Sequence, residues 1–187
     1  MCWWVNCCAL VAFGLGAISL RPETASAVEP PSAADAPLKV SIAVPLVDGV
    51  RPIIATGPAS HFHVVLENLS QKPVRIWRAG NSRSHAALHF ELTDTAGKTR
   101  AIRRRAVPFL QNAPVWQELS PGDMLVIDVY FAGDEWEAFP LPAKGKQATI
   151  KLRAIYSVAP DQAAQKHGVW TGSVSSPLVT YRFENHR

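Results

Sequence analysis

The chain has 187 residues, of which 48% are hydrophobic and 18% charged, with a formal net charge of +4. That balance excludes global intrinsic disorder and a polytopic membrane protein, and the length fits one domain of ordinary size once a short leader is set aside. The field of four net charges is too weak for a polyanion-binding stripe, so nucleic acid is not an expected partner.

No charged residue lies between Cys2 and Leu20, and Arg21-Pro22-Glu23 is followed by Ala25-Ser26-Ala27, a small-x-small cleavage pattern. The apolar stretch from Cys8 to Leu20 would span about 20 Å as a helix, short of the roughly 30 Å hydrocarbon core of a bilayer. Residues 1–27 are therefore predicted to be a signal peptide, and the expected compartment is periplasmic or extracellular. The membrane enters only if this leader stays uncleaved as an anchor. All three cysteines, Cys2, Cys7 and Cys8, lie in the leader, so the domain beyond it has no disulfide, thiol nucleophile or thiolate metal site. Residues 28–37 carry three prolines and little apolar bulk, the composition of a flexible linker.

From Leu38 to the end, short apolar alternations are separated by Pro, Gly, Asn and Asp clusters, which predicts an all-β domain over 38–187. Leu38, Val40, Ile42 and Val44 form a first strand ending at Pro45, and Val47 to Pro52 a bend. Phe62, Val64 and Leu66 lead to a turn at Asn68-Leu69-Ser70, and Val74 and Ile76 resume the rhythm, predicting a hairpin. A second hairpin is expected from Leu88, Phe90 and Leu92 through Asp94-Thr95-Ala96-Gly97 to a return strand around Ile102. Ser120-Pro121-Gly122-Asp123 has the residues of a type II turn, followed by Leu125, Ile127, Val129 and Phe131 in alternation. Residues 134–138 suggest one helical turn. Ala148, Ile150, Leu152, Ala154 and Tyr156 alternate with outward Thr149, Lys151 and Arg153. A short helical piece within 158–168 and closing strands over 170–174 and 178–183 complete the chain. Eight or nine strands in this length predict an antiparallel two-sheet sandwich.

The order of turns, Glu67-Asn68-Leu69-Ser70 with Lys72-Pro73-Val74, Asp94-Thr95-Ala96-Gly97-Lys98, and Leu119-Ser120-Pro121-Gly122-Asp123, resembles bacterial exported immunoglobulin-like or fibronectin-III-like domains. The closing run from Trp170 to Leu178 is similar to the last strands of such modules. The resemblance implies an immunoglobulin-like fold over about Leu38 to Phe183; its motifs are turns, so it implies no functional residue. The same turn order is loosely similar to a small bacterial proteinase-inhibitor family of this fold.

His61 and His63 share a face of their strand with Glu67, which fits the wet face of a strand whose Phe62, Val64 and Leu66 point inward and would start a metal site only if a neighbour added a ligand. His85 and His89 read as turn and surface residues. No serine sits on a nucleophile elbow, the carboxylates Asp134, Glu135 and Glu137 form no convincing pair, and no phosphate-binding glycine pattern occurs, so no enzyme activity and no cofactor are expected.

The densest charge feature is Lys98, Arg100, Arg103, Arg104 and Arg105, with Arg75, Arg78 and Arg83 joining it if the hairpins pack in sequence. Either this is an edge strand guarded by charge, or Arg103, Arg104 and Arg105 bind an anionic polymer or an acidic protein face. Trp77 shares parity with Arg75, away from Val74 and Ile76, and reads either as core of a second sheet, the commoner place for such a residue, or as a partly exposed platform stacked by arginine. Trp116 and Trp136 flank the least regular segments and are the candidate aromatic anchors for a partner. The expected function is a non-enzymatic binding or protein-interaction module of the cell envelope, whose partner is an envelope or extracellular protein or an anionic polymer. An inhibitor of an extracytoplasmic protease, or a histidine-based metal domain, is the alternative.

Overall fold

In the computed structural model, residues 36–45, 53–55, 61–109, 113–131, 135–137 and 142–185 are described. The predicted leader, most of the linker and the bend at 47–52 lie outside the described residues. The described residues are mostly strand with two short helices, an all-β domain. None of its helices is long and apolar enough to cross a membrane.

Eleven strands occur among the described residues: β1 Leu38–Ala43, β2 Ile53–Ala55, β3 Phe62–Asn68, β4 Val74–Trp77, β5 Leu88–Thr93, β6 Thr99–Ile102, β7 Trp116–Leu119, β8 Met124–Val129, β9 Gln147–Val158, β10 Gly172–Ser175 and β11 Val179–Glu184. Helix α1 covers Ser82–Ala87 and α2 covers Gln162–His167. One sheet runs β1-β3-β8, a larger one runs β2-β11-β9-β5-β6, and β4 pairs with β7. Every one of these strand pairs is antiparallel except β2 with β11.

Strict alternation explains which faces are buried. In β3, Phe62, Val64, Leu66 and Asn68 are buried while the residues between them are half-buried, and β9 repeats the pattern from Ile150 to Val158. The inward residues of the two larger sheets and of β4 and β7 belong to one continuous core. At its centre Phe90 and Phe131 lie 5.2 Å apart, edge to face, with Phe62 5.1 Å from Phe131.

The hairpin of β5 and β6 forms as predicted, with Phe90 opposite Ile102. Its turn is held by Asp94, whose side chain accepts from the Ala96 and Lys98 amides, and Gly97 takes the positive φ of 78° that the turn requires. β6 ends the larger sheet, so the basic segment does begin on an edge strand.

The first predicted hairpin is not formed. β3 pairs with β1 and β8, whereas β4 pairs with β7. The reason is Asn68, fully buried between the two turns that the sequence marks. Its amide donates to the carbonyls of Lys72 and Leu119, its carbonyl oxygen accepts from the Ser70 amide and hydroxyl, and its backbone oxygen accepts from Gly122. The chain thus crosses from one ladder to the other at 68–73 in step with its partner at 120–123.

Along one edge of β9, β11 covers Gln147–Leu152 and β10 covers Ile155–Val158. Between them Pro177 has no amide to give, and the buried Ser176 bridges the gap: its amide donates to the Ala154 carbonyl and its hydroxyl accepts the Ala154 amide.

Helix α1 is absent from the sequence-based reading. Asn81 caps it, accepting from the Arg83 and Ser84 amides, and the Ser84 hydroxyl lies 3.4 Å from the Asn81 amide to complete a capping box. Helix α2, which the sequence suggests, is capped by Asp161 and closed by Gly168 in the left-handed region.

Candidate functional site

The three consecutive arginines do not act as one patch. Arg104 and Trp136 form an antiparallel bridge, with the Arg105 amide donating to the Glu135 carbonyl at 2.9 Å and the Glu137 amide to the Arg103 carbonyl at 2.7 Å. This clamp turns the Arg104 side chain inward, where its guanidinium lies 5.1 Å over the Trp136 ring and beside the Glu135 carboxylate. Arg103 and Arg105 are exposed, Arg105 also donating to the Trp136 carbonyl at 3.3 Å. Arg75 and Arg83 turn to separate acids, Glu118 and Asp161.

Trp136 is a core residue and offers no surface to a partner. It is 1% exposed, packs at 5.2 Å on Phe90, and its indole N–H donates to the Tyr130 carbonyl at 2.9 Å. Trp116 is 37% exposed at the start of β7, with the Arg75 guanidinium 4.2 Å over its ring. Trp77 is also stacked by an arginine, with the Arg83 guanidinium 5.4 Å over its ring, but it is buried and forms no outward platform. Trp77 is buried because α2 folds over that side of β4: the His167 ring meets it edge-on at 6.2 Å, and Val169 bridges to Arg75.

The histidines are distributed among different partners. His63 Nδ1 lies 2.8 Å from Asp128, Glu67 is taken by Lys39 at 3.2 Å, and the His61 ring packs on Tyr130. Among the described residues no three His, Cys, Asp or Glu side chains converge. His85 is bonded through Nε2 to the Arg105 carbonyl at 2.9 Å and its ring meets Phe109 edge-on. Burial and the nearby Arg103 charge hold the His89 imidazole below its ordinary range, with Glu91 pulling weakly the other way.

Among the described residues, two neighbouring surfaces bear on binding. The first is the outer edge of β8, which pairs with no strand among the described residues except β3. Asn68 donates to Asp123 at the start of this ladder. In an antiparallel pair bonded residues alternate, so Leu125, Ile127 and Val129 exchange bonds with β3 while the backbone of Met124, Val126 and Asp128 turns outward. Met124 and Val126 are more than half exposed, Val126 at 55%.

The second is a cleft of about 320 Å³ behind that edge, lined by β8, Trp77, α1, Leu88, Arg104, Phe109 and Tyr156. Tyr156, only 3% exposed, is one of its lining residues, and its hydroxyl is closed off from solvent with no hydrogen-bond partner among the described residues. Burial raises this phenol far above its usual range, so it is a neutral donor at any physiological pH. Sequence reasoning placed Tyr156 inward but assigned it no function. No motif announces the cleft, because its walls come from positions scattered between 77 and 156.

No protein-family model matches the chain, and no curated protein matches it.

Proposed function

We propose that this chain is an exported, non-enzymatic binding module of the cell envelope, built on an immunoglobulin-like sandwich, that takes a protein partner along β8. The observation that carries the reading is the β8 edge itself. Its sequence, Met124-Leu125-Val126-Ile127-Asp128-Val129, has neither the lysine nor the proline that usually blunts an exposed edge. An extended partner segment would complete the sheet through the outward backbone groups of Met124, Val126 and Asp128 and cover the apolar side chains of Met124 and Val126. Trp116 and the exposed Arg103 and Arg105 are the accessory contacts in this reading.

Photo-crosslinking of the full chain in envelope fractions tests it, with benzoylphenylalanine at position 126 and, as a control, at the exposed Lys151 of β9. A discrete adduct from position 126 that vanishes when Met124→Lys is added supports strand addition. Equal adducts from both positions, or an adduct consisting of two copies of the chain, would remove it. N-terminal sequencing of the envelope form checks export, with Val28 expected as the first residue.

A further inference from the structure

The inward side of the β1-β3-β8 sheet is covered unevenly. In β3 the inward residues Phe62, Val64 and Leu66 are fully buried, whereas one strand further out the inward residues Leu125 and Ile127 of β8 are only half-buried. Both line the cleft, together with Val126 and Asp128, whose backbone turns to the outer edge. The cleft therefore lies where one more strand would run, and the wall it presents to solvent includes the half-buried Phe109 and the exposed Ala79. A strand added to β8 would carry the residues opposite Leu125 and Ile127 on the same inward face, alternate positions along its own chain. The charges at the mouth are unequal. Arg78, between the lining residues Trp77 and Ala79, is exposed, and so is Arg105, whose carbonyl is held by the lining His85. Among the described residues no acid pairs with either. Asp128, the acid on the rim, has His63 against it at 2.8 Å, and Arg104 is answered by Glu135 and the Trp136 face.

We propose, resting on the reading of β8 as the partner's edge, that the cleft is the specificity pocket for that partner: it takes two bulky apolar side chains at alternate positions of an extended segment with acidic flanks. The side chains enter beside Leu125 and Ile127 and meet Phe109 and Ala79. The volume, about 320 Å³, is roughly twice that of a 150 Å³ cavity that accepts benzene, which gives room for one aromatic and one branched aliphatic side chain. The acidic flanks follow from Arg78 and Arg105, two exposed guanidinium groups at the mouth that a carboxylate would match. Backbone bonds along an edge read no sequence, so side-chain pockets are what distinguish one added strand from another.

Calorimetric titration of the full chain with the synthetic peptide Glu-Thr-Phe-Thr-Leu-Thr-Glu tests the assignment, with Glu-Thr-Ala-Thr-Ala-Thr-Glu and Lys-Thr-Phe-Thr-Leu-Thr-Lys as comparisons. The first is expected to bind saturably, the alanine peptide about tenfold or more weaker, and the lysine-flanked peptide severalfold weaker. Ala79→Trp fills the mouth of the cleft from an exposed turn and leaves β8 unaltered; it is expected to weaken the first peptide to the level of the alanine peptide. Val126→Pro removes an outward amide that β3 does not use and is expected to abolish binding. Should that variant not fold, Met124→Pro, at the first position of the strand, makes the same test. Loss of binding on the proline substitution, with the first and alanine peptides binding the unaltered chain equally, keeps the edge and overturns the pocket. Binding that survives proline but is lost in Ala79→Trp overturns the edge reading and this inference with it. No saturable binding of the first peptide, or equal binding of the glutamate-flanked and lysine-flanked peptides, overturns this inference, while the edge itself still stands or falls on the crosslink from position 126.

Discussion

The side-chain amide of Asn68 donates to the backbone carbonyl of Leu119 across 51 residues of sequence, at 2.9 Å and out of contact with solvent. That one bond ties the turn after β3 to the turn before β8, and with them two ladders that no local signal pairs. Asn68→Ala leaves the Leu119 and Lys72 carbonyls without that donor, and unmade buried bonds cost more than made ones contribute. A loss of about 2 to 3 kcal/mol is expected, read from urea denaturation with an unchanged m-value.

Ser176 offers a second test of an isolated bond. Its hydroxyl is the acceptor for the Ala154 amide where Pro177 interrupts the edge of β9. Ser176→Ala orphans a buried amide and is expected to cost about 1 to 3 kcal/mol. Hydrogen exchange should show the Ala154 amide losing protection ahead of its neighbours Leu152 and Tyr156.

Trp136 and Arg103 differ although both come from the region marked as a binding surface. Trp136→Ala empties the centre of the aromatic core and is expected to destabilise by about 3 to 5 kcal/mol. Arg103→Ala touches an exposed side chain and should stay within about 0.5 kcal/mol at neutral pH. Parallel thermal melts separate the two.

His89 gives the fold a pH dependence whose sign follows from its depressed folded value. Because the unfolded chain, near 6.5, takes up the proton first, stability from this group is complete above that pH and is lost as pH falls through the lower folded value. Arg103→Ala removes one of the two causes, so the imidazole midpoint should move upward in an NMR titration, narrowing the window over which stability falls. A midpoint that moves down would contradict the assigned proximity.

Local signals were enough for some of this. The β5–β6 hairpin, β8 after its proline-glycine turn and the alternation of β9 were legible because each is decided by neighbours in sequence: Asp94 with Gly97, Ser120 with Asp123. The pairing of β3 was not, because it is decided by Asn68 and residues some fifty positions away. Helix α1 is not legible in the sequence although Asn81 and Ser84 are good capping residues, since six residues carry no apolar period and Leu88 immediately starts a strand. Trp77 and Trp136 are decided by tertiary structure. Parity tells which side of β4 Trp77 leaves from and not that α2 lies over that side, and nothing in the sequence around Trp136 tells that its ring enters the core against Phe90 and Phe131.

One consequence concerns the order in which the molecule can be completed. β11 lies between β2 and β9, so during synthesis the Gln147–Leu152 edge of β9 has no permanent neighbour until Val179–Glu184 have left the ribosome. Contacts so distant along the chain form slowly, and an uncovered greasy ribbon invites association with other nascent chains. This architecture therefore favours a holding chaperone that keeps the polypeptide open until its last strand is available, and it makes even a short C-terminal truncation a threat to the whole larger sheet.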